Sequence, residues 1–169
     1  MAELVVVCTG NAARSVMAGA ILAARAPELT VTTAGTHVVE GMPMSWRTRD
    51  ALKSIGVEVP NHRSRQLADA HVETADIVVG FACEHVGYIR RTHPGAAART
   101  GTMRRLVRDL AADGPLPDRL LALDLAAVEL ESWEDVIDPA GGDLDDFIEC
   151  ARDISDLCDQ LVDRLNGAS

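Results

Sequence analysis

Basic charge is in short supply in this sequence. Its 16 lysines and arginines face 26 aspartates and glutamates, giving a formal charge of −10 and a pI near 4.8. Such a chain opposes broad attraction to nucleic acid or an anionic membrane, so neither is an expected partner, although a small basic site can sit inside an acidic surface. Long apolar runs are missing too. None approaches the ~18 residues of a membrane span, and the first strand-like run starts almost directly after Met1, leaving no room for a secretory leader. The expected location is cytoplasmic. Cysteine is scarce: Cys8, Cys83, Cys150 and Cys158 are too scattered for a zinc site with paired C-x-x-C spacing, and a reducing compartment disfavours structural disulfides. Repeats and low-complexity tracts are absent, and 169 residues at 47% apolar and 25% charged suit one globular domain over 1–169.

What is present is alternation. "ELVVV" (3–7), "LTVTTA" (29–34), "ADIVVGFA" (75–82) and "TMRRLV" (102–107) read as short strands, with helical lengths at 15–26, 45–55 and 83–92 between them. Strand-helix alternation needs crossovers, so the expected fold is α/β: an open parallel sheet of about four strands with helices on both faces. The clearest helix is the last. Phe147, Ile148, Ala151, Ile154, Leu157, Cys158, Leu161, Val162 and Leu165 recur at three- and four-residue steps, with Asp143 as N-cap. Residues 108–133 open with a Gly-Pro-x-Pro turn and then space Leu120, Leu121, Leu123, Leu125 and Val128 helically, predicting a further helix.

The chemistry concentrates in "VVVCTGNAARSVMAG" (5–19). In an α/β sheet the crevice at the carboxyl ends of the strands is the usual ligand position, which puts Cys8 there, followed by a loop of Thr9, Gly10, Asn11, Ala12 and Ala13. Gly10 is expected to free the backbone so that successive N–H groups face inward as an anion nest, and the helix starting near Ser15 adds its positive end. Those dipoles and Arg14 favour the ionised, nucleophilic form of Cys8. Arg14, six positions on, can offer two equatorial phosphoryl oxygens its planar fork. Ser15 can donate to the sulfur, and Asn11 can hold the loop through its amide. There is no Walker-type lysine, and Arg14 with the amides supplies the charge that magnesium supplies elsewhere, so no cofactor or metal is expected.

"VCTGNAARS" resembles the C-x-G-N-x-C-R-S signature of the low-molecular-weight protein tyrosine phosphatase family, and "VIDPAGGDLDDF" resembles that family's aspartate-proline loop. The likeness covers nearly the whole chain, with echoes in "TAGT" (33–36) and "NHRSRQL" (61–67). The resemblance implies a phosphate-binding loop after the first strand and a cysteinyl-phosphate intermediate. It makes Asp138 the general acid, which then helps activate water, and gives His62 the part of a brace behind the loop. Ala13 replaces the second loop cysteine, Val16 a common proline, and Ala140 an aromatic, while Ala12 is small where bulkier residues shape the entrance. Trp46 falls in the segment where the family often has a wall residue, and 108–133 looks longer than the family's connection.

Without the signature, Cys8 at a strand end would be read as a small hydrophobe, the reading kept for Cys83, Cys150 and Cys158. With it, the expected activity is hydrolysis of phosphotyrosine in proteins or of small phosphomonoesters, releasing phosphate. Three alternatives stand beside it. "DVIDPAGG" is similar to the D-P-x-G-G loop of phosphoarginine phosphatases. A thiol-linked arsenate reductase shares the loop but normally has two further close cysteines, and Cys83 has no near neighbour in sequence. A non-enzymatic phospho-ligand sensor would keep the nest and could dispense with Cys8 or Asp138.

Overall fold

The computed structural model describes residues 2–167. Four strands, β1 (Glu3–Cys8), β2 (Thr30–Gly35), β3 (Ile77–Gly80) and β4 (Thr100–Thr102), form one parallel sheet in the order β2-β1-β3-β4. The central position of β1 follows from its composition. A Val-rich run with no charge after Glu3 suits a strand covered on both faces, and Leu4 to Cys8 are all buried. Leu4, Val6 and Cys8 face one core with α1 (Arg14–Arg25), α2 (Trp46–Ser54) and α7 (Leu144–Asn166). Val5 and Val7 face the other, with α3 (Asp69–Glu73) and α4 (Cys83–Thr92). Parallel pairing of Cys8 with Gly35, and of Val7 with Gly80, brings the carboxyl ends of β1, β2 and β3 to one pole.

The last helix begins where its N-cap predicts: Asp143 Oδ1 accepts from Asp146 N at 3.1 Å and Asp146 Oδ2 from Asp143 N at 2.9 Å. Its stripe of Phe147, Ala151, Ile154, Cys158 and Leu161 is buried, each large apolar side chain contributing about 1.5–3 kcal/mol by burial.

Two expectations are corrected. "TMRRLV" is not a strand: β4 ends at Thr102, whose hydroxyl accepts from Arg105 N at 3.2 Å and starts α5 (Met103–Asp109). That turn also suits Arg105, whose guanidinium meets buried Glu134 at 2.8 and 2.9 Å. Nor is 108–133 one extended helix. Between Asp109 and Ser132 only α6 (Leu116–Leu121) is helical, because Asp124 enters the left-handed region at φ 49 and turns follow. Leu120 and Leu125 still reach the core, and Arg90 Nη2 holds the carbonyls of Leu125 and Val128 at 2.7 and 2.8 Å. The five-residue α3, too short to show a period, was not anticipated. Among the described residues no helix is long and apolar enough to cross a membrane.

Candidate active site

The loop between β1 and α1 turns its carbonyls outward. Cys8 O accepts from Thr36 N and Thr9 O from His37 N, both at 3.0 Å; Ala13 O accepts from Met17 N at 2.8 Å. Asn11 O meets His62 Nε2 at 2.7 Å, and Ala12 O accepts from Thr48 Oγ1 at 2.8 Å. Among the described residues, the N–H groups of Thr9 to Ala13 have no protein acceptor. Amides freed on one side while carbonyls are tied on the other make an anion nest. The expected role of Gly10 is revised: the residue with positive φ is Asn11, at 50°, and a Cβ on Gly10 would meet no atom within 4 Å. The steric demand falls instead on Gly35 in "TAGT", where a Cβ would come within 2.6 Å of Thr9 O and 2.9 Å of Asn11 N.

Asn11 is fully buried and tolerates this backbone because its short amide bonds locally. Its Nδ2 donates to Ser15 Oγ at 2.8 Å and its Oδ1 accepts from Arg65 N at 3.0 Å. Ser15 Oγ in turn lies 3.0 Å from Cys8 Sγ. With Asn11 supplying Ser15's oxygen with a hydrogen, the Ser15 hydroxyl hydrogen is left to donate to a sulfur anion. Burial holds His62 below the ordinary histidine value, its bond to Asn11 opposing this and Arg65 adding to it.

Arg14 is 3% exposed at the end of the loop. Its Nη1 donates to Val136 O at 2.9 Å, and its Nη2 stands 3.4 Å from Asp138 Oδ2. Cys8, Arg14 and Asp138 are thus assembled around one pole from positions 130 residues apart in sequence. Asp138 is about half exposed, and its Oδ1 accepts from Ala140 N at 3.0 Å. Trp46 opens α2, also half exposed, two residues before Thr48. Ala140 is exposed and Ala12 partly so, so neither position supplies an aromatic wall.

His85, at the start of α4, escaped the sequence reading. It is fully buried; Phe81 N donates to its Nδ1 at 3.1 Å, so the ring hydrogen is on Nε2, 3.0 Å from Thr9 Oγ1. Burial pushes His85 down to about 3, the Arg14 charge adds to this and Asp135 opposes it, so the ring is neutral.

Beside Asp138 lies an acidic cleft of about 680 Å³, lined by Asp135, Asp146, Glu149 and Asp153 with Arg104 and Cys150. A larger one of about 880 Å³, at the opposite end of the strands around Leu29, Leu116 and Leu120, brings together no thiol or histidine. The remaining cysteines are free, and burial pushes Cys83 up to about 11 and Cys150 and Cys158 up to about 12. Cys83 Sγ donates to Glu131 O at 3.1 Å.

Residues 3–119 match the family model described as low molecular weight phosphotyrosine protein phosphatase. The chain is 29% identical over 164 residues to a protein-arginine-phosphatase of Geobacillus stearothermophilus, spanning 96% of this chain and 95% of that protein. It is 28% identical over 134 residues to a probable low molecular weight protein-tyrosine-phosphatase, EpsP, of Ralstonia solanacearum, spanning 78% and 90%. The solved structure of the Geobacillus stearothermophilus arginine phosphatase superposes with a TM-score of 0.79, covering 98% of this chain and 93% of that one. The low molecular weight protein tyrosine phosphatase from T. tengcongensis gives 0.77 at 26% identity, covering 96% and 98%.

Proposed function

The chain belongs to the low molecular weight phosphotyrosine protein phosphatase family, and from that premise we propose that it hydrolyses phosphorylated protein side chains through a cysteinyl-phosphate on Cys8. The observation that carries this reading is the juxtaposition of the Ser15-supported Cys8 thiol with an amide nest, Arg14 and Asp138. Cys8 Sγ attacks phosphorus in line as the bond to the leaving oxygen or nitrogen breaks, and protonated Asp138 gives that atom its proton. Water then attacks phosphorus, Asp138 takes the water's proton, and the sulfur leaves as a thiolate that Ser15 Oγ stabilises. Arg14 spends Nη1 on Val136 and keeps Nε–H and an Nη2–H for the equatorial oxygens.

Phosphotyrosine is one substrate the loop accommodates; phosphoarginine is the one we favour. Small residues at Ala12 and Ala140 remove the stacking surface that rewards a phenyl ring. Carboxylates of the cleft beside Asp138, which outnumber its one arginine, suit a guanidinium leaving group. The near full-length likeness to an arginine phosphatase points the same way. Arsenate reduction is less well supported, because Cys83 is held as a protonated thiol on Glu131 O. A sensor without turnover has no need of both Cys8 and Asp138.

Parallel kinetics on phosphoarginine, phosphotyrosine and phosphoserine peptides test the reading. The highest kcat/KM is expected on phosphoarginine. Preference for phosphotyrosine would return the assignment to that residue, and no turnover of any of the three would sink the phosphatase reading.

A further inference from the structure

The groups proposed to react sit on the Cys8 loop and on the acid segment, and something must set the distance between the two. The turn from β3 into α4 touches both. On the acid side, Val136 N donates to Phe81 O at 2.6 Å and Asp135 Oδ1 accepts from Cys83 N at 2.7 Å. On the nucleophile side, His85 Nε2 and Glu84 Oε1 each lie 3.0 Å from Thr9 Oγ1, so the threonine hydroxyl accepts from the ring and donates to the carboxylate. Phe81 N on His85 Nδ1 joins the two sides at 3.1 Å.

Together with the Arg14 bond to Val136 O, these contacts form a closed circuit from Thr9 through His85, Phe81 and Val136 to Arg14 and back along the loop. Resting on the phosphatase reading, we propose that His85 is a positioning residue that holds the Cys8 loop in register with the Asp138 segment, acting through Thr9 and Phe81. It touches no substrate. A neutral imidazole is suited to the place because it accepts at one nitrogen and donates at the other across a fixed span, while an ammonium or guanidinium there would repel Arg14.

The test is a double-mutant cycle on His85→Leu and Thr9→Val, with phenyl phosphate as the probe, a substrate whose poorer leaving group needs the acid, at a temperature where circular dichroism shows each variant folded. Misregister is felt in the transition state, so each single variant should lose about 10- to 100-fold in kcat with KM changed by less than about threefold. The double variant should be no worse than about twofold below the poorer single one, because both break the same circuit. Thr9→Ser, which keeps the hydroxyl, should recover most of what Thr9→Val loses. A kcat within about twofold of the parent in His85→Leu, a loss confined to KM, or losses that multiply in the double variant would each overturn the proposal. An inactive parent would overturn the phosphatase reading and this one with it; an active parent with indifferent variants overturns this one alone.

Discussion

The two segments that meet at the site are built in opposite ways. In the Cys8 loop, five carbonyls are bonded outward, Asn11 is fully buried, and two neighbouring backbones approach too closely for a side chain at Gly35. In the acid segment Ile137 is 85% exposed, Asp138 is half exposed, and Ala140 is open to solvent. That segment is moored at Asp135 and Val136 and then runs along the surface. The loop is thus tied in place before any ligand arrives, whereas the proposed proton donor sits on an exposed stretch with few tethers beyond Val136. Dipoles fixed before the reaction need no rearrangement during it. A carboxyl in contact with water can exchange its proton between the two half-reactions.

The largest expected effect comes from breaking the rigid side at its centre. Cys8→Ser should lower kcat on the order of 10⁴-fold or more while inorganic phosphate or vanadate still binds, because nest and Arg14 remain. Isothermal titration beside an activity assay checks both halves, and retained turnover would end the covalent mechanism.

Breaking the yielding side should cost less and depend on the substrate. Asp138→Asn should slow hydrolysis by ~10² to 10⁴ for poor leaving groups and least for p-nitrophenol, whose phenolate departs unaided. A leaving-group series measures this; a uniform loss would remove Asp138 from the acid role.

Asn11→Ala sharpens the contrast through stability. It strands Arg65 N, strips Ser15 of a donor and leaves alanine in a left-handed backbone, together about 2 to 4 kcal/mol. Chemical denaturation should register that, while Ala140→Gly in the acid segment should change stability by no more than about 1 kcal/mol.

The smallest effect is a pH slope, and it tests which side carries buried histidine. His85 and His62 are both lowered in the folded chain, so the unfolded chain binds more protons below pH 6.5. Their contribution is whole above pH 6.5 and is lost as pH falls towards the folded values, at up to about 1.4 kcal/mol per pH unit for each proton taken up. Partly buried His71 is lowered too and adds weakly, while Glu134 and Asp109, also lowered, join only below about pH 4.5. Denaturation curves at pH 7, 6 and 5 should fall in that order, more shallowly in His85→Gln; a flat profile would contradict the buried neutral ring.

Much of this was legible in one dimension. The sheet was readable because β1 and β3 are short apolar runs with helical stretches between, and the loop because Cys8, Arg14 and Ser15, the proposed nucleophile, clamp and hydroxyl, all lie within eight residues. Asp138 and His62 needed the family likeness, since nothing local distinguishes an aspartate before proline or a lone histidine. His85 and Thr48 stayed hidden for a physical reason: their partners Thr9 and Ala12 are 76 and 36 positions away and are met only once the chain has folded. The β4 misreading came from ranking the β-branched and apolar residues of "TMRRLV" above the capping signal of Thr102. Gly10 and Asn11 were confused because a glycine usually claims the left-handed position and here an asparagine does.

Gly35 carries a consequence for how such an enzyme can diverge. Besides the Val38 side chain, the space it leaves is bounded by the backbone of Thr9 and Asn11, which cannot be exchanged by substitution, so any side chain there displaces the loop itself. Ala12, Trp46 and Ala140, by contrast, show partly or wholly open surface. Substitutions at the rim can therefore alter the surroundings of the loop without displacing it, while a side chain in place of one missing carbon in the second strand cannot.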